Sequence, residues 1–458
     1  MTRLALWLTG VFERWLPDAF VFALAGTVLI FVAGLAIGVP AVELVKSWGH
    51  GFPDLLAFTM QMSLVIVTGY VVATARPVAR VIAWLADRSP SSPRAAVAFV
   101  TFFALCTAWV NWGFSLIFSA MLVREVARRR RGVDYRALAA ASLLGLGSVW
   151  AQGLSGSAAL QMATPGLLPS RISQIVARGG LVPDGIIDLS HTIFLWQSLA
   201  SVGIEIVVVT ALMWLIAPTG AAARDAATMA ITLPSPDTDL EPAAKTPGEH
   251  LEHSPILLWA VAALGIAFLA VTTRKLTQLN VNTINLGMLL FGMILHGTPA
   301  RLMRAVREAV PATWAVILQF PFYAAIAGMI GSTHLNERLA GVFVHLATPR
   351  SFPSLMAAYS ALLGVFVPSG GSKWVIEAPY VLEAAHQLRV HLGWVVACYD
   401  LGEAVANLVQ PFWMLPVLAL LGLRARDVMG FTLVVFLVLF PLVLMLTAVL
   451  GATLAYPL

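Results

Sequence analysis

Long uncharged blocks alternate with short polar connections along this chain. Residues 19–42, 55–75, 254–273 and 428–458 contain no Asp, Glu, Lys or Arg, and each holds the roughly 20 residues that an α-helix needs to cross the hydrocarbon core of a membrane. The pattern predicts an all-α polytopic membrane protein of about nine transmembrane helices plus two re-entrant hairpins. The first block is longer than a signal-peptide core of about 7–15 residues, so it is read as a retained helix.

The basic residues set the expected orientation. With Arg3 and Arg14 placed in the cytoplasm and one crossing taken per apolar block, 19 of the 28 Lys and Arg fall on the cytoplasmic face and 8 on the other, as the positive-inside rule favours. Lys373 alone stays inside an apolar stretch. This arrangement requires segment 95–123 to begin and end on the cytoplasmic side, because basic clusters flank it on both sides. Its 29 residues fall short of the roughly 40 that two crossings need. The segment is therefore expected to dip in and return, turning near Asn111-Trp112-Gly113-Phe114-Ser115. Irregular backbone at membrane depth has to line protein or water, which marks such a turn as a functional candidate.

An internal repeat supports a second hairpin. Residues 104–115 align without gaps to residues 361–372 with five identities in twelve positions, an offset of 257 residues from Ala104 to Ala361. Pro53 and Gln61 meet Pro311 and Gln319 at nearly the same offset, and Ala127 meets Ala384. Under the charge count the paired helices run in opposite directions, as in inverted-repeat transporters. The expected layout is a first repeat at 1–217 with hairpin 95–123, a cytoplasmic linker at 218–253 needing no folded structure, a connecting helix at 254–275, and a second repeat at 276–458 with hairpin 351–388.

Each hairpin is followed by an uncharged or nearly uncharged stretch of 34 residues, 137–170 and 390–423. The first is interrupted by Gly153-Leu154-Ser155-Gly156-Ser157. The second contains Gly402-Glu403 and then Asn407, Gln410 and Pro411. Such residues break a membrane helix and leave half-helix N-termini whose dipoles favour anions. Two hairpin turns and two broken helices are thus expected to converge on a binding site.

Composition narrows the function. Of 458 residues 59% are hydrophobic and 11% charged, and mean hydropathy is +0.86, which leaves too few charges to cover a soluble surface. A soluble enzyme, a nucleic-acid binder and a disulfide scaffold are set aside. The net charge of +5 sits in loops, where contact with membrane lipid accounts for it; the run Arg128–Arg131 reads as a topology anchor. Cys106 and Cys398 build no disulfide framework. No cofactor or metal site is expected beyond a coupling H⁺ or Na⁺.

The residues expected to hold substrate are Asn111, Trp112, Gly113 and Ser115 at the first turn, Ser155, Gly156 and Ser157 in the first broken helix, Ser369, Gly370, Gly371, Ser372 and Lys373 at the second turn, and Asn407 and Gln410 in the second broken helix. A lysine at membrane depth costs about 2.5–3.5 kcal/mol. Lys373 therefore faces water or an anionic ligand, or else pairs with Glu377 one turn on. Glu403 is the candidate coupling-ion site, because a carboxylate beside unwound carbonyls binds Na⁺ or takes a proton; a structural ion pair is the alternative. Glu205 reads as structural. Gly153-Leu154-Ser155-Gly156 has the form of an intramembrane serine protease motif, the alternative from another class, but the histidines of the hairpins and broken stretches, His386 and His391, sit only at the ends of 351–388 and 390–423, where no base for that serine is expected. A channel would need a ring of charges or carbonyls that is not visible.

Taken together, Arg14-Trp15-Leu16-Pro17-Asp18, Trp48-Gly49-His50-Gly51-Phe52, Leu56 to Met62, Asn111-Trp112-Gly113-Phe114, Arg124 to Arg129, Ser155-Gly156-Ser157, Ala163-Thr164-Pro165-Gly166, Pro368-Ser369-Gly370-Gly371, Gly402-Glu403 and Gln410-Pro411-Phe412-Trp413 give the chain its family character. It resembles the bacterial short-chain fatty acid (acetoacetate/butyrate) uptake transporter family over nearly its full length, within a wider ion-transporter superfamily. The resemblance implies a secondary carrier for a small monocarboxylate in the bacterial inner membrane, with inverted repeats and, as is frequent in that superfamily, a homodimer; elevator and rocking motion both stay open. The chain departs from the family pattern at Ser372, Lys373 and Glu377. Substrate size, coupling ion and the choice among organic anions stay open there.

Overall fold

A computed structural model describes residues 19–180, 182–233, 246–275, 278–332, 335–366, 370–410 and 412–458, and all regular structure among them is helical. The first half runs α1 (Ala19–Ala36), α2 (Ala41–Gly51), α3 (Leu56–Thr74), α4 (Arg76–Arg88), α5 (Pro93–Val110), α6 (Trp112–Arg129), α7 (Tyr135–Leu143), α8 (Ser157–Ala163), α9 (Ser170–Val176) and α10 (Trp196–Ile216). Then come α11 (Pro247–Glu252) and α12 (Ile256–Thr272). The second half runs α13 (Val281–His296), α14 (Pro299–Ala309), α15 (Trp314–Ser332), α16 (Leu335–Leu346), α17 (Phe352–Phe366), α18 (Gly370–Leu388), α19 (Leu392–Ala406), α20 (Leu415–Leu421) and α21 (Ala425–Gly451). Shifted by the same 257 residues, α1–α8 fall on α13–α20 in order, with bounds that differ by six residues at most. The repeated motif thus belongs to a repeated order of helices.

Asn111 makes the first hairpin. Its backbone leaves the helical region (φ −159°, ψ 122°), and its side chain accepts from Phe114 N at 2.8 Å, which ends α5 and caps α6. Ser115 Oγ then donates to Ala104 O at 2.8 Å, and Thr107 Oγ1 donates to Ser115 Oγ at 3.0 Å. Eleven residues of straight helix would hold Ala104 and Ser115 roughly 16 Å apart, so the arms fold back on each other. Their far ends also meet: Arg129 Nε lies 2.5 Å from Asp87 Oδ1, and Arg130 Nε donates to Ser89 Oγ at 2.9 Å. In the second hairpin Lys373 Nζ donates to Ser360 O at 2.9 Å and the hydroxyls of Tyr359 and Tyr380 lie 2.9 Å apart. Its turn at residues 367–369, Ser369 included, lies outside the described residues.

The broken segments differ in detail from the sequence expectation. The first break opens at Leu144 and runs through a short 3₁₀ turn, Val149–Gln152, until α8 begins at Ser157. Gly153 sits so close to the hairpin that a Cβ there would stand 2.1 Å from Trp109 O. In the second, α19 is continuous through Gly402 and Glu403, and the break starts at Asn407. Gly402 serves packing instead: a Cβ would stand 2.1 Å from Ala357 O on α17, so the two helices meet backbone to backbone.

The described residues of the 218–253 stretch include local structure at both ends. Asp134, fully buried at the start of α7, needs donors, and it takes Arg224 N at 3.0 Å, Ala137 N at 3.0 Å and Arg136 Nη2 at 2.6 Å. Tyr135 N in turn donates to Arg224 O at 2.8 Å. Thr246 and Glu249 form a capping box that starts α11.

Five helical runs among the described residues are long and apolar enough to cross a membrane, Ala41–Thr74, Pro93–Val110, Trp196–Ile216, Pro247–Thr272 and Ala425–Gly451, or six when Pro299–Thr313 and Val316–Gly331 count as one bent span. The connecting helix α12 packs on α13 and exposes most of its apolar side chains, Leu264 at 73%.

Candidate functional site

The two halves enclose a cavity of about 40 Å³. Met62 on α3 and Val316 and Phe320 on α15 form one wall. Trp112 at the first hairpin turn, Trp150 and Leu146 in the first break, and Trp413 form another. The polar side comes from Ser157 at the start of α8, Gly370 and Gly371 at the start of α18, Glu403 on α19 and Asn407 at the second break. Of the residues expected from sequence, Trp112, Ser157, Gly370, Gly371, Glu403 and Asn407 therefore line one space.

The others stand behind it. Asn111 caps α6. Ser115 ties the hairpin arms. Ser155 Oγ accepts from Trp112 N at 3.0 Å, and Leu154 N donates to Trp109 O at 2.8 Å, so the first break grips the first turn. Gly156 permits close approach, since a Cβ would lie 2.2 Å from Ala151 O, whereas a Cβ at Gly113 would meet nothing nearer than Asn111 Oδ1 at 3.3 Å. Gln410 is buried past Asn407. The side chain of Ser372 lies outside the described residues. The Ser155 oxygen thus serves as an acceptor that holds the first turn.

Lys373 pairs with Glu403, not with Glu377. Nζ lies 2.5 Å from Glu403 Oε2, with the two side chains 2% and 1% exposed. Gly364 and Gly370 make room for this pair, since Cβ atoms there would come within 2.8 Å of Glu403 Oε2 and Cγ. Glu377 instead accepts a hydrogen bond from Tyr399 OH. The Tyr399 ring lies 5.5 Å from Lys373 Nζ and 4.8 Å from the Trp374 ring.

Two residues that the sequence reading passed over join the halves here. Asp400, fully buried, accepts from Ala158 N at 3.2 and 3.1 Å and from Ala159 N at 3.2 Å. The half-helix N-terminus expected to face a substrate anion is thus occupied by a carboxylate of the chain itself. Gln161 Nε2 donates to Gly371 O at 2.7 Å, linking α8 to the second turn. The signal for Asp400 was present in sequence: it is one of only two carboxylates between 390 and 423.

The sequence and the fold both have known relatives. A family model described as short chain fatty acid transporter matches residues 1–450. An Escherichia coli (strain K12) protein described as a short-chain fatty acid transporter is 37% identical over 434 residues, 94% of this chain and 95% of that protein. A Haemophilus influenzae protein of the same description is 34% identical over 94% of this chain and 96% of its own length. Among solved structures, the Neisseria gonorrhoeae MtrF protein, reported among antimetabolite efflux pumps, superposes with a TM-score of 0.59 at 15% identity over 100% of this chain and 98% of its own. The Alcanivorax borkumensis YdaH transporter gives 0.53 at 18% identity over 95% and 98%. At those identities the likeness is one of fold.

Proposed function

The chain belongs to the short-chain fatty acid transporter family, and from that premise we propose that it is a secondary active carrier moving a small monocarboxylate, such as butyrate or acetoacetate, in symport with H⁺ or Na⁺. It is a membrane protein of a transporter family and not an enzyme. The observation that carries the reading is the cavity between the halves, lined both by apolar side chains and by Gly370, Gly371, Ser157, Asn407 and Glu403.

A carboxylate brought into such a space needs donors to offset its lost hydration. The first turn of α18 offers backbone N–H groups with no partner inside the helix, and Lys373 follows in that same turn. The Lys373 ammonium is already matched by Glu403. A cation that neutralises Glu403, H⁺ or Na⁺, releases Lys373 to a substrate carboxylate, and the same exchange makes loading of the two obligatory. The apolar wall of Met62, Val316 and Phe320 receives the alkyl chain. Ser155, Asn111, Gly113, Ser115 and Gly156 hold the turns in place for this, and Gln410, Ser369 and Ser372 are proposed as further substrate contacts on the sequence pattern alone.

Alternating access follows from the same layout: the hairpins and broken helices interlock through Ser155, Gln161 and Asp400, and this unit moves against α3 and α15. Support for inverted repeats comes from the matched order of α1–α8 and α13–α20 together with the charge count, which also orients the N-terminus to the cytoplasm of the bacterial inner membrane. The exposed apolar face of α12 suits lipid or a second copy in a homodimer.

The test is uptake of labelled butyrate and acetoacetate into proteoliposomes, with pH and Na⁺ gradients imposed separately. Glu403→Gln should keep counterflow and lose gradient-driven accumulation. Unchanged accumulation would remove Glu403 from the coupling step, and absence of any monocarboxylate counterflow in the unmodified protein would remove the carrier reading.

A further inference from the structure

Glu205 lies outside the cavity and outside everything proposed for it, yet it is fully buried in the middle of α10. Its Oε1 accepts two hydrogen bonds, from Gln152 Nε2 and from Ser201 Oγ, each at 3.0 Å. Its Oε2 has no partner, and neither has Gln152 Oε1. Two acceptor oxygens on two side chains already joined by one hydrogen bond are thus left empty together. A carboxyl and a carboxamide are both planar forks, one with two oxygens and the other with an oxygen and an NH₂ group. Joined edge to edge they need one further hydrogen, and only a protonated carboxyl supplies it.

The surroundings supply no cation to do the same work: α19, which packs on the 3₁₀ turn, brings Cys398, Tyr399 and two carboxylates, Asp400 held by Ala158 N and Ala159 N and Glu403 paired with Lys373. The 3₁₀ turn Val149–Gln152 has no ionisable side chain, and α10 has none besides Glu205. The neighbouring α5 brings Cys106 and Arg94, and the Arg94 guanidinium lies over the Trp214 ring at 5.8 Å, nine residues or roughly 13 Å further along α10. The other neighbour, α21, has Arg426 and Asp427 only in its first turn, where Asp427 Oδ2 accepts from Arg424 N at 2.9 Å. An ionised carboxylate here would be a buried charge without a counter-ion.

We propose that Glu205 and Gln152 form a proton-binding site, an acid–amide pair loaded with one H⁺, which fastens α10 to the first broken segment. Gln152 stands two residues from Trp150 at the cavity and three from Ser155 on the hairpin turn, so loss of this proton loosens α10 from the segment carrying both. The proton enters from water and returns to water; no other reactant is needed. The inference is independent of which carboxylate the carrier takes.

Infrared titration and thermal unfolding of the purified full chain test it. At neutral pH the protein should show a protonated carboxyl C=O band that is missing from Glu205→Gln, whose amide reproduces the donor. Its melting temperature should fall by several degrees as the pH rises from about 4.3, the ordinary value for Glu, through neutrality, because there the folded chain keeps a proton that the unfolded chain has lost, while that of Glu205→Gln should fall less. Identical infrared bands in the two proteins would overturn the proposal. So would a melting temperature that rises with Na⁺ in the unmodified protein and not in Glu205→Gln, which would put sodium between the two oxygens. Should Glu205→Gln fail to fold, Gln152→Leu keeps the acid and removes its partner: the band should move toward that of a free acid, and an unmoved band refutes the pairing.

Discussion

Replacing Lys373 with methionine keeps an unbranched side chain one heavy atom shorter and deletes its charge. Glu403, 1% exposed and 2.5 Å from Nζ, is then a buried carboxylate with no cation, and Ser360 O loses its donor. Removing one partner of a buried pair costs about 3–5 kcal/mol. Replacing both, as in Lys373→Met with Glu403→Leu, removes the stranded charge together with the desolvation that the pair itself bears, and such replacements are close to neutral. The expected coupling between the two sites is therefore about 3 kcal/mol or more. At roughly 2 °C per kcal/mol for a chain of this size, Lys373→Met should melt several degrees below the unmodified protein and the double variant should recover most of that loss. Tryptophan fluorescence of the four proteins in detergent measures the cycle. Lowering the pH should narrow the deficit of Lys373→Met, since a proton on Glu403 also removes the stranded charge. A double variant as unstable as Lys373→Met, or a coupling below about 1 kcal/mol, would refute the claim that the pair holds this region together. Transport separates the roles: the double variant should stay folded while its apparent KM for the carboxylate rises, and an unaltered KM would leave Lys373 with the structural role alone.

Asp400→Asn should cost about 1.5–3 kcal/mol, the worth of hydrogen bonds to a charged group, because its three contacts with Ala158 N and Ala159 N require an acceptor at both oxygens; unchanged thermal stability would remove the clamp between α8 and α19. Val316→Phe enlarges a side chain of the wall assigned to the alkyl chain and should raise the apparent KM for butyrate more than that for acetate in competition uptake. Equal effects on both would place the alkyl chain elsewhere.

The hairpins were legible in sequence because two independent signals met there, basic clusters at both ends of 95–123 and a repeated motif at the turns. Asn111 combined a turn with its own cap, which a sequence read by type already suggests. The linker and the exact breaks were less legible because what decides them is far away along the chain. Gly402 reads as a helix breaker, yet it stays helical because its missing Cβ is used by Ala357 of a helix 45 residues earlier. Arg224 is ordered by Asp134, ninety residues before it. Lys373 showed the same limit: spacing of four favours Glu377 as its partner, whereas packing of α18 on α19 brings Glu403 to the ammonium and gives Glu377 to Tyr399. The serines and glycines chosen as ligands divided in the structure, with Ser157, Gly370 and Gly371 at the cavity and Ser155 and Gly156 behind it. Sequence marks where a chain bends, and both ligand-holding and bend-holding residues gather at bends.

The repeat also separates backbone from chemistry. Carried back by 257 residues, Lys373, Asp400 and Glu403 become Leu116, Leu143 and Leu146. The helices recur in both halves, and the ionisable side chains at these positions occur in one. Leu146 and Glu403 then face the same cavity from corresponding places, and Leu146 O accepts from Asn407 Nδ2 at 3.1 Å, which joins the two breaks directly. A symmetric framework with one apolar and one charged copy of the same position presents two unlike surfaces across a single space. That is the division the proposed substrate, with an alkyl end and a carboxylate end, calls for, and it arises without either half giving up its hairpin and broken-helix backbone.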